Sequence, residues 1–445
     1  MQVPSPKTDI QKSYPVVTIQ LPIFNEKYVV ERLLDAVIEI DWPKSSIEIQ
    51  ILDDSTDETS TIIQQKISED KFMDFDLFHI RRKNRKGYKA GALQLGMSGA
   101  KGEYIAIFDA DFVPQPSFLK KTIPEFDNPA IGLVQTKWEH LNKDYSLLTK
   151  LQAFGLNGHF RVEQTGRNTA GSYINFNGTG GIWRKSCILD SGGWQADTLT
   201  EDLDLSYRAQ MKGWKFKYLE NIPSPSELPV IMSAVKSQQF RWTKGGAETA
   251  KKNLGKVLKT KLSFINKIHA FFHLTNSANF LLLLIASIVS IPLLYVKFKN
   301  PGFKYFFDFG SVFLVGFLAI AYFYWIANTI DDTKKHFLAY FPLFIVFSLG
   351  FTLNNSIAVI EGLLGIKTPF VRTPKFNIVG MDGSWKENMY LNQKLTWTTL
   401  FEGLLSLYFF SGIVIGFVVE DYGLILFHLM LALGYGGIFY YSVKK

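Results

Sequence analysis

The chain has 445 residues, a net charge of +8 and a single cysteine, Cys187. One cysteine excludes an intramolecular disulfide framework, and the length exceeds that of one ordinary compact domain. A basic balance fits nucleic acid or an anionic membrane surface. The placement of the charge separates them: Lys251, Lys252, Lys256, Lys259, Lys261 and Lys267 fall in one acid-free stretch beside long uncharged runs. That sets nucleic acid aside and favours the anionic cytoplasmic leaflet of a bilayer.

Composition changes near Lys261, with charge spread throughout before it and runs rich in Phe, Leu and Ile after it. The expected organisation is an N-terminal tail (1–15), an α/β domain (16–260) and a transmembrane domain (261–445). Residues 1–14 are polar and carry two prolines, so no signal peptide is expected.

In chain order, residues 16–23 (VVTIQLPI) predict a buried strand, followed by Asn25 and Glu26 and a helical pattern to about Ile40. Residues 48–52 predict a second strand, ending on the acidic turn Asp53-Asp54-Ser55-Thr56-Asp57. A helix follows, then a strand at 77–80, a basic loop at 81–89 that opens a helix, and a strand at 104–108. Alternating strands and helices imply parallel pairing in a doubly wound α/β layer, which binds ligands at the carboxyl ends of its strands. Beyond Lys261, residues 277–296, 309–330, 403–419 and 422–443 each approach the length needed to cross hydrocarbon. A fifth uncharged run, 337–360, contains Asn354 and Asn355.

Several motifs carry possible chemistry. Asp109-Ala110-Asp111 follows a strand, and two hard carboxylates one residue apart on a turn suit one Mg²⁺ or Mn²⁺ with open positions for phosphate oxygens. The loop Arg81-Arg82-Lys83-Asn84-Arg85-Lys86-Gly87-Tyr88-Lys89 offers cations and backbone N–H groups to a diphosphate. Neither G-x-x-x-x-G-K-[ST] nor a G-x-G-x-x-G after the first strand is present, which argues against a P-loop ATPase and a dehydrogenase. Thr200-Glu201-Asp202 supplies either a general base or an acidic helix start. In Gln238-Gln239-Phe240-Arg241-Trp242, Arg241 presents a fixed fork for a diphosphate and Trp242 a face for a sugar ring. An interfacial aromatic with a snorkelling cation is the other reading of that pair.

Together these motifs resemble the membrane-embedded branch of glycosyltransferase family 2, in the order acidic turn, D-x-D, T-E-D and Q-x-x-R-W over residues 16–250. LDDSTDET (52–59), FNGTGGIWR (176–184) and QFRW (239–242) look like the cellulose synthase-like A group, the β-mannan synthases. The resemblance implies a GT-A type nucleotide-sugar-binding domain followed by transmembrane helices. It implies that Asp53 and Asp54 contact the nucleoside, with Glu26 and Lys89 nearby. Asp109 approaches the nucleotide, and Asp111 holds metal and diphosphate. Phe176, Asn177, Gly178 and Thr179 line the acceptor site, Asp202 (beside Glu201) is the general base, and Gln238, Arg241 and Trp242 flank the diphosphate and the acceptor's terminal sugar. Residues 370–375 resemble the cellulose synthase gating loop F-x-V-T-x-K, with Arg372 in place of Val and with Thr373 and Lys375 retained.

The implied reaction is a single displacement with inversion, metal-dependent, from UDP-glucose or GDP-mannose to a glycan or lipid acceptor. Processive β-glycan synthesis and single-sugar glycolipid synthesis both remain open at this point. The implied location is a multi-pass plasma (inner) membrane protein with its catalytic domain in the cytoplasm. For residues 370–375 to share that side, 337–365 is read as an interfacial or re-entrant helix with four full crossings around it. The acid-only turn at Glu420 and Asp421 then faces outside, along with Lys297, Lys299 and Lys304, while Lys444 and Lys445 face inside.

Overall fold

The computed structural model describes residues 14–300, 302, 309, 313–329, 337–368, 371–383 and 396–444. Residues 1–13 of the tail, Lys304, Phe370 of the gating-like loop and Lys445 lie outside the described residues.

The chain divides into two compact units, the first running through Glu139 with Tyr173–Asp197 and Glu201–Ser226, the second His140–Ser172 with Thr198–Thr200 and the chain from Glu227 onward. This division interleaves in sequence and does not coincide with the composition change near Lys261. The physical reason lies in the long polar helix Met232–Leu258. Its Lys236 and Lys244 reach Glu402 and Glu361 at 2.8 Å each, so a helix that reads as polar packs with apolar ones.

The first unit is built on one mixed sheet. Its strands are β1 (Val17–Ile23), β2 (Ile47–Asp53), β3 (Asp76–Arg81), β4 (Tyr104–Ile107), β5 (Ile131–His140), β6 (Gly181–Arg184) and β7 (Lys215–Ser226), in the order β3-β2-β1-β4-β6-β5-β7. β1 pairs in parallel with β2 and β4, and β2 with β3, as the strand–helix alternation predicts. The sheet then turns antiparallel, β6 pairing with both β4 and β5. The register sets Ile23 opposite Asp53, so both strands end at one level.

Both sheet faces are covered. All seven residues of β2 are buried. β4 alternates, Tyr104 and Ala106 joining a core with Ile19, Leu21 and Leu33, Ile105 and Ile107 joining another with Leu93, Trp183 and Leu205. Helix α1 (Val30–Ile38) buries Val30, Leu33, Leu34 and Val37, a single apolar stripe. Helices α2 (Thr59–Ile67) and α3 (Tyr88–Gly99) follow β2 and the basic loop. At Gly96 of α3 a Cβ would stand 2.5 Å from Gln20 Nε2 and 2.7 Å from Gln50 Oε1, so glycine permits the close helix–sheet approach. Helix α4 (Glu201–Met211) completes the unit's site.

In the second unit, α5 (Met232–Leu258) and α6 (Phe264–Thr275) precede the apolar helices. Among the described residues, three helices are long and apolar enough to cross a membrane: α7 (Ala278–Lys299), α11 (Trp397–Val418) and α12 (Ile425–Val443). Between them lie α8 (Phe313–Thr329), described over 17 residues, and the pair α9 (Phe337–Gly350) and α10 (Thr352–Leu364), bent by 48°. Such a bend is that of either a broken span or a re-entrant loop, and of these only the re-entrant form is the reading expected for 337–365. Lys297 at the end of α7 pairs with Asp421 in the α11–α12 turn at 2.7 Å. Lys297, a cation on the side where the charge rule disfavours one, therefore has an acidic partner.

Candidate active site

The site of the first unit grows from the carboxyl ends of β1, β2 and β4. After β1, Asn25 takes a left-handed backbone (φ 55°), which Asn tolerates. Its N–H donates to Ser55 Oγ (2.9 Å) and its Oδ1 accepts from Thr56 N–H (2.8 Å), tying the two strand ends together. The Glu26 carbonyl accepts from Val29 and Val30, both at 3.0 Å, and starts α1.

Asp53 is 1% exposed. Its carboxylate accepts from Ser55 N–H (2.8 Å) and Ser60 Oγ (2.6 Å) and meets His79 Nε2 at 2.9 Å. Burial pushes its pKa up, but the bonds from His79, Ser60 and Ser55 outweigh it and bring it down to about 2. The Asp53 side chain thus faces the protein and holds the turn, where a direct nucleoside contact was expected. Asp54 accepts from both Nε (2.7 Å) and Nη2 of Arg82. Arg82 also donates to the carbonyls of Lys86 (2.8 Å) and Tyr88 (2.9 Å). The basic loop is thereby closed onto the acidic turn, and this cation is engaged there.

After β4, Asp109 N–H donates to Thr179 Oγ1 (2.9 Å). Lys89, in the first turn of α3, sets Nζ 2.5 Å from Asp109 Oδ1 and 2.9 Å from the Gly178 carbonyl. Burial lowers the Lys89 pKa, but Asp109, Glu201 and Asp202 outweigh it and hold it above its ordinary value. Asp111 is 6% exposed, and its carbonyl lies 3.4 Å from Arg32 Nη2.

Segment 176–179 differs in part from expectation. Phe176 is fully buried, its ring 5.6 Å from Trp183 and 6.3 Å from Trp194, so it is core and its side chain lines no acceptor surface. Thr179, also buried, is the staple under Asp109. Asn177 keeps a half-buried side chain. Gly178 has φ 82°, and a Cβ there would stand 3.0 Å from Asp202 Oδ2 and 3.5 Å from Lys89 Nζ.

Asp202 begins α4 next to Glu201. Burial, then the Glu201 charge, push its pKa up to about 7 against the pull of Lys89. Ser206 couples this turn to the 176–179 segment, donating to the Asp202 carbonyl (2.6 Å) and accepting from Phe176 N–H (2.9 Å). Gln135 was missed in the sequence: fully buried, its Nε2 donates to the carbonyls of Thr136, Thr179 and Gly180, and its Oε1 accepts from Asn177 N–H (3.0 Å). A lone glutamine inside an apolar strand is the only signal for it. The structure therefore gathers Lys89, Asp109, Gly178, Glu201 and Asp202.

The second unit carries the other set. Gln238 and Trp242 sit four residues apart on α5, hence on one face, both half-buried. Arg241 Nη2 donates to Thr373 Oγ1 (3.1 Å), and Lys375 Nζ donates to the Glu227 carbonyl (3.0 Å).

Among the described residues no group of three or more His, Cys, Asp or Glu side chains converges as a metal cage. The D-x-D offers one or two hard oxygens. That donor set fits Mg²⁺ or Mn²⁺ completing its shell with diphosphate and water oxygens, and does not fit an all-protein structural site.

The chain matches the glycosyl transferase family 2 domain over residues 18–187 and the glycosyl transferase family group 2 domain over residues 104–352. It is 34% identical over 407 residues to glucomannan 4-beta-mannosyltransferase 1 of Oryza sativa subsp. japonica, covering 87% of this chain and 74% of that protein. It is 42% identical over 266 residues to probable glucomannan 4-beta-mannosyltransferase 4 of the same species, covering 58% of this chain and 48% of that one. Over 258 residues it is 42% identical to glucomannan 4-beta-mannosyltransferase 7 of Arabidopsis thaliana, covering 56% and 46%. The matched part thus spans about half the length of these last two relatives. A solved mannosyltransferase from Pyrobaculum calidifontis, in complex with GDP-Man and Mn²⁺, superposes with a TM-score of 0.54 at 17% identity, over 80% of this chain and 89% of that one. That likeness speaks to the GT-A fold. With a family match over more than half its residues and a relative aligned over most of both chains, this chain belongs to glycosyltransferase family 2.

Proposed function

We propose that the chain transfers a mannosyl group from a nucleotide sugar to the end of a growing β-mannan or glucomannan, with inversion, at a membrane. The observation that carries the reading is Asp202, a carboxylate lifted to about 7 and standing across Gly178 from Lys89. A carboxylate tuned to neutral pH is suited to general base catalysis. Its proton comes from an acceptor hydroxyl, whose oxygen attacks the anomeric carbon as the bond to the diphosphate breaks. Arg241 and Lys89 stabilise the charge that develops on the leaving diphosphate, with Thr373 and Lys375 assisting Arg241. A divalent cation held by Asp111 and Asp109 would supply further charge to that group.

In this reading Asp54 and Glu26 serve the nucleoside and Asp53 acts through the turn. Asn177 serves the acceptor, with Gln238 and Trp242 at its terminal sugar. The names of the relatives favour mannose as the sugar, and the apolar helices favour insertion in a membrane; the plasma membrane with the catalytic unit in the cytoplasm, where the nucleotide sugar is met, is the location that this reading adds.

The test is a donor screen on purified protein with GDP-mannose and UDP-glucose, in Mg²⁺ or Mn²⁺. Long β-mannan from GDP-mannose supports the proposal. A single sugar on a lipid, or glucan alone, rejects it.

A further inference from the structure

In the second unit, the segment that resembles a gating loop is held at both ends by side chains from one short stretch, residues 227–244. At its near end, Lys244, whose side chain is fully buried, donates to the Ile366 carbonyl (2.6 Å) and Thr368 Oγ1 (2.7 Å), with Glu361 at 2.8 Å balancing the charge. At its far end stands Glu227, 2% exposed. Its Oε1 accepts from Phe376 N–H (2.7 Å) and its Oε2 from Ile378 N–H (3.2 Å), while its carbonyl takes the Lys375 ammonium. Phe376 and Ile378 then pack with Val230, Ile231 and Ala234 at the entry to α5. Between these ends, Arg241 meets Thr373.

The chemistry explains why an acid is buried there. Residues 371–378 form no strand or helix, so their N–H groups have no ladder to join. Buried N–H groups need acceptors. A carboxylate supplies two at once, and bonds to a charged acceptor are stronger than neutral ones. Neither Glu227 nor Lys244 belongs to a motif that the proposed reaction uses.

We infer that Glu227 and Lys244 are positioning residues for the transfer reaction: Lys244 holds residues 366–368 to α5 and Glu227 holds residues 375–378 beside its entry, so that Thr373 and Arg241 are presented as one unit. The inference rests on the proposed role of Arg241 and Thr373 at the diphosphate. It makes Thr373 dependent on residues well away from it in sequence.

The test uses the full chain in nanodiscs, with Glu227→Gln, Glu227→Ala and the charge-neutral pair Lys244→Met/Glu361→Gln beside wild type. Backbone hydrogen exchange over 371–383 reads the anchoring, and donor KM and kcat read its consequence. In Glu227→Ala, exchange at Phe376 and Ile378 rises roughly tenfold or more, the loss expected for bonds to a charged acceptor, and donor KM rises by a similar factor with β1–β4 exchange unchanged. Glu227→Gln, which keeps one acceptor oxygen, falls between. The Lys244 pair raises donor KM with exchange at 376–378 near wild type. Unchanged exchange at 376–378 in Glu227→Ala overturns the anchor. Faster exchange with unaltered KM and kcat reduces Glu227 to a structural role and overturns the positioning claim. If wild type transfers no sugar, the reaction proposed above fails, and the exchange measurement still decides the anchor by itself.

Discussion

Gly178 and Asp202 fit each other by the absence of a side chain: a Cβ on Gly178 would stand 3.0 Å from Asp202 Oδ2, inside ordinary contact. The backbone at Gly178, φ 82°, is also one that L side chains resist. Gly178→Ala therefore combines strain with a displaced carboxylate. Because Gly178 also offers its carbonyl to Lys89, the shift reaches both sides of the site. Transfer should fall by about 100-fold, the scale set by a misplacement near 1 Å, while circular dichroism stays that of the wild type. Activity within threefold of wild type would show that the carboxylate has room to move.

Asp202→Asn separates chemistry from stability. Asn keeps the shape but accepts no proton, so transfer should drop about 10²–10⁴-fold with donor binding nearly intact. In the wild type, a base with pKa about 7 makes kcat/KM climb from pH 5 to 7 and level above it. The stability effect has the opposite sense. The folded pKa lies above the unfolded one, so the protonated group contributes stability at pH 4 and loses that contribution as pH rises to 7. Asn has no proton to lose. Its melting temperature should match the wild type at pH 4 and equal or exceed it at pH 7.5. A flat rate profile from pH 5 to 8 would remove Asp202 from the base role.

The parts of the site visible in the sequence are those tied to strand ends. The apolar runs before Asn25, Asp53 and Asp109 mark strands, and acids placed just after them fall at one end of a parallel sheet. Phe176 shows where motif reading stops. Its neighbour Gly178 stands against Asp202 and Lys89, but the Phe176 ring points inward to Trp183, a direction set by packing. The antiparallel half was not legible because β6 has four residues and β7 carries Pro223 and Pro225, which weaken a strand signal. Gln135 and Glu227 were invisible for another reason. Each is a single polar residue satisfied by backbone groups far away in sequence, and such partners leave no local pattern.

Asp111→Ala tests the cation. Transfer by the wild type should stop in EDTA and return with Mn²⁺ or Mg²⁺. In the variant, added cation should restore little, and nucleotide affinity measured by calorimetry should lose its dependence on the metal. Full activity in EDTA would leave the D-x-D as a turn that serves only Lys89.

Lys236 and Glu402 form a buried pair at 2.8 Å, with Glu402 fully buried in α11. Removing one partner strands a charge, a cost of about 3–5 kcal/mol. Glu402→Gln should therefore lower the melting temperature in detergent sharply. Lys236→Met/Glu402→Met should recover most of that loss, since well-packed apolar replacements of buried pairs are often neutral. Equal damage from the single and double variants would mean that the pair is used by function or by a neighbour.

The proposed acceptor role of Trp242 bears on whether the enzyme extends a polymer. Trp242 stands one turn from Gln238 on α5 with a half-buried side chain, on the helix that also carries Arg241, whose guanidinium meets Thr373. A flat aromatic face stacks on a sugar without reading its linkage, which suits an acceptor end that must be re-engaged after every addition. Trp242→Ala should thus damage acceptor use more than donor hydrolysis, and shorten the product before it slows the first transfer. Arg241→Ala, by contrast, should lower both hydrolysis and transfer, since its partner in this account is the leaving group. The measurement is product size from radiolabelled donor, resolved on a gel, with donor hydrolysis followed in parallel. Shorter chains at near-normal hydrolysis in Trp242→Ala would place the ring at the acceptor. Equal loss of hydrolysis and elongation would move Trp242 to the donor side, and unchanged chain length would reject the stacking role.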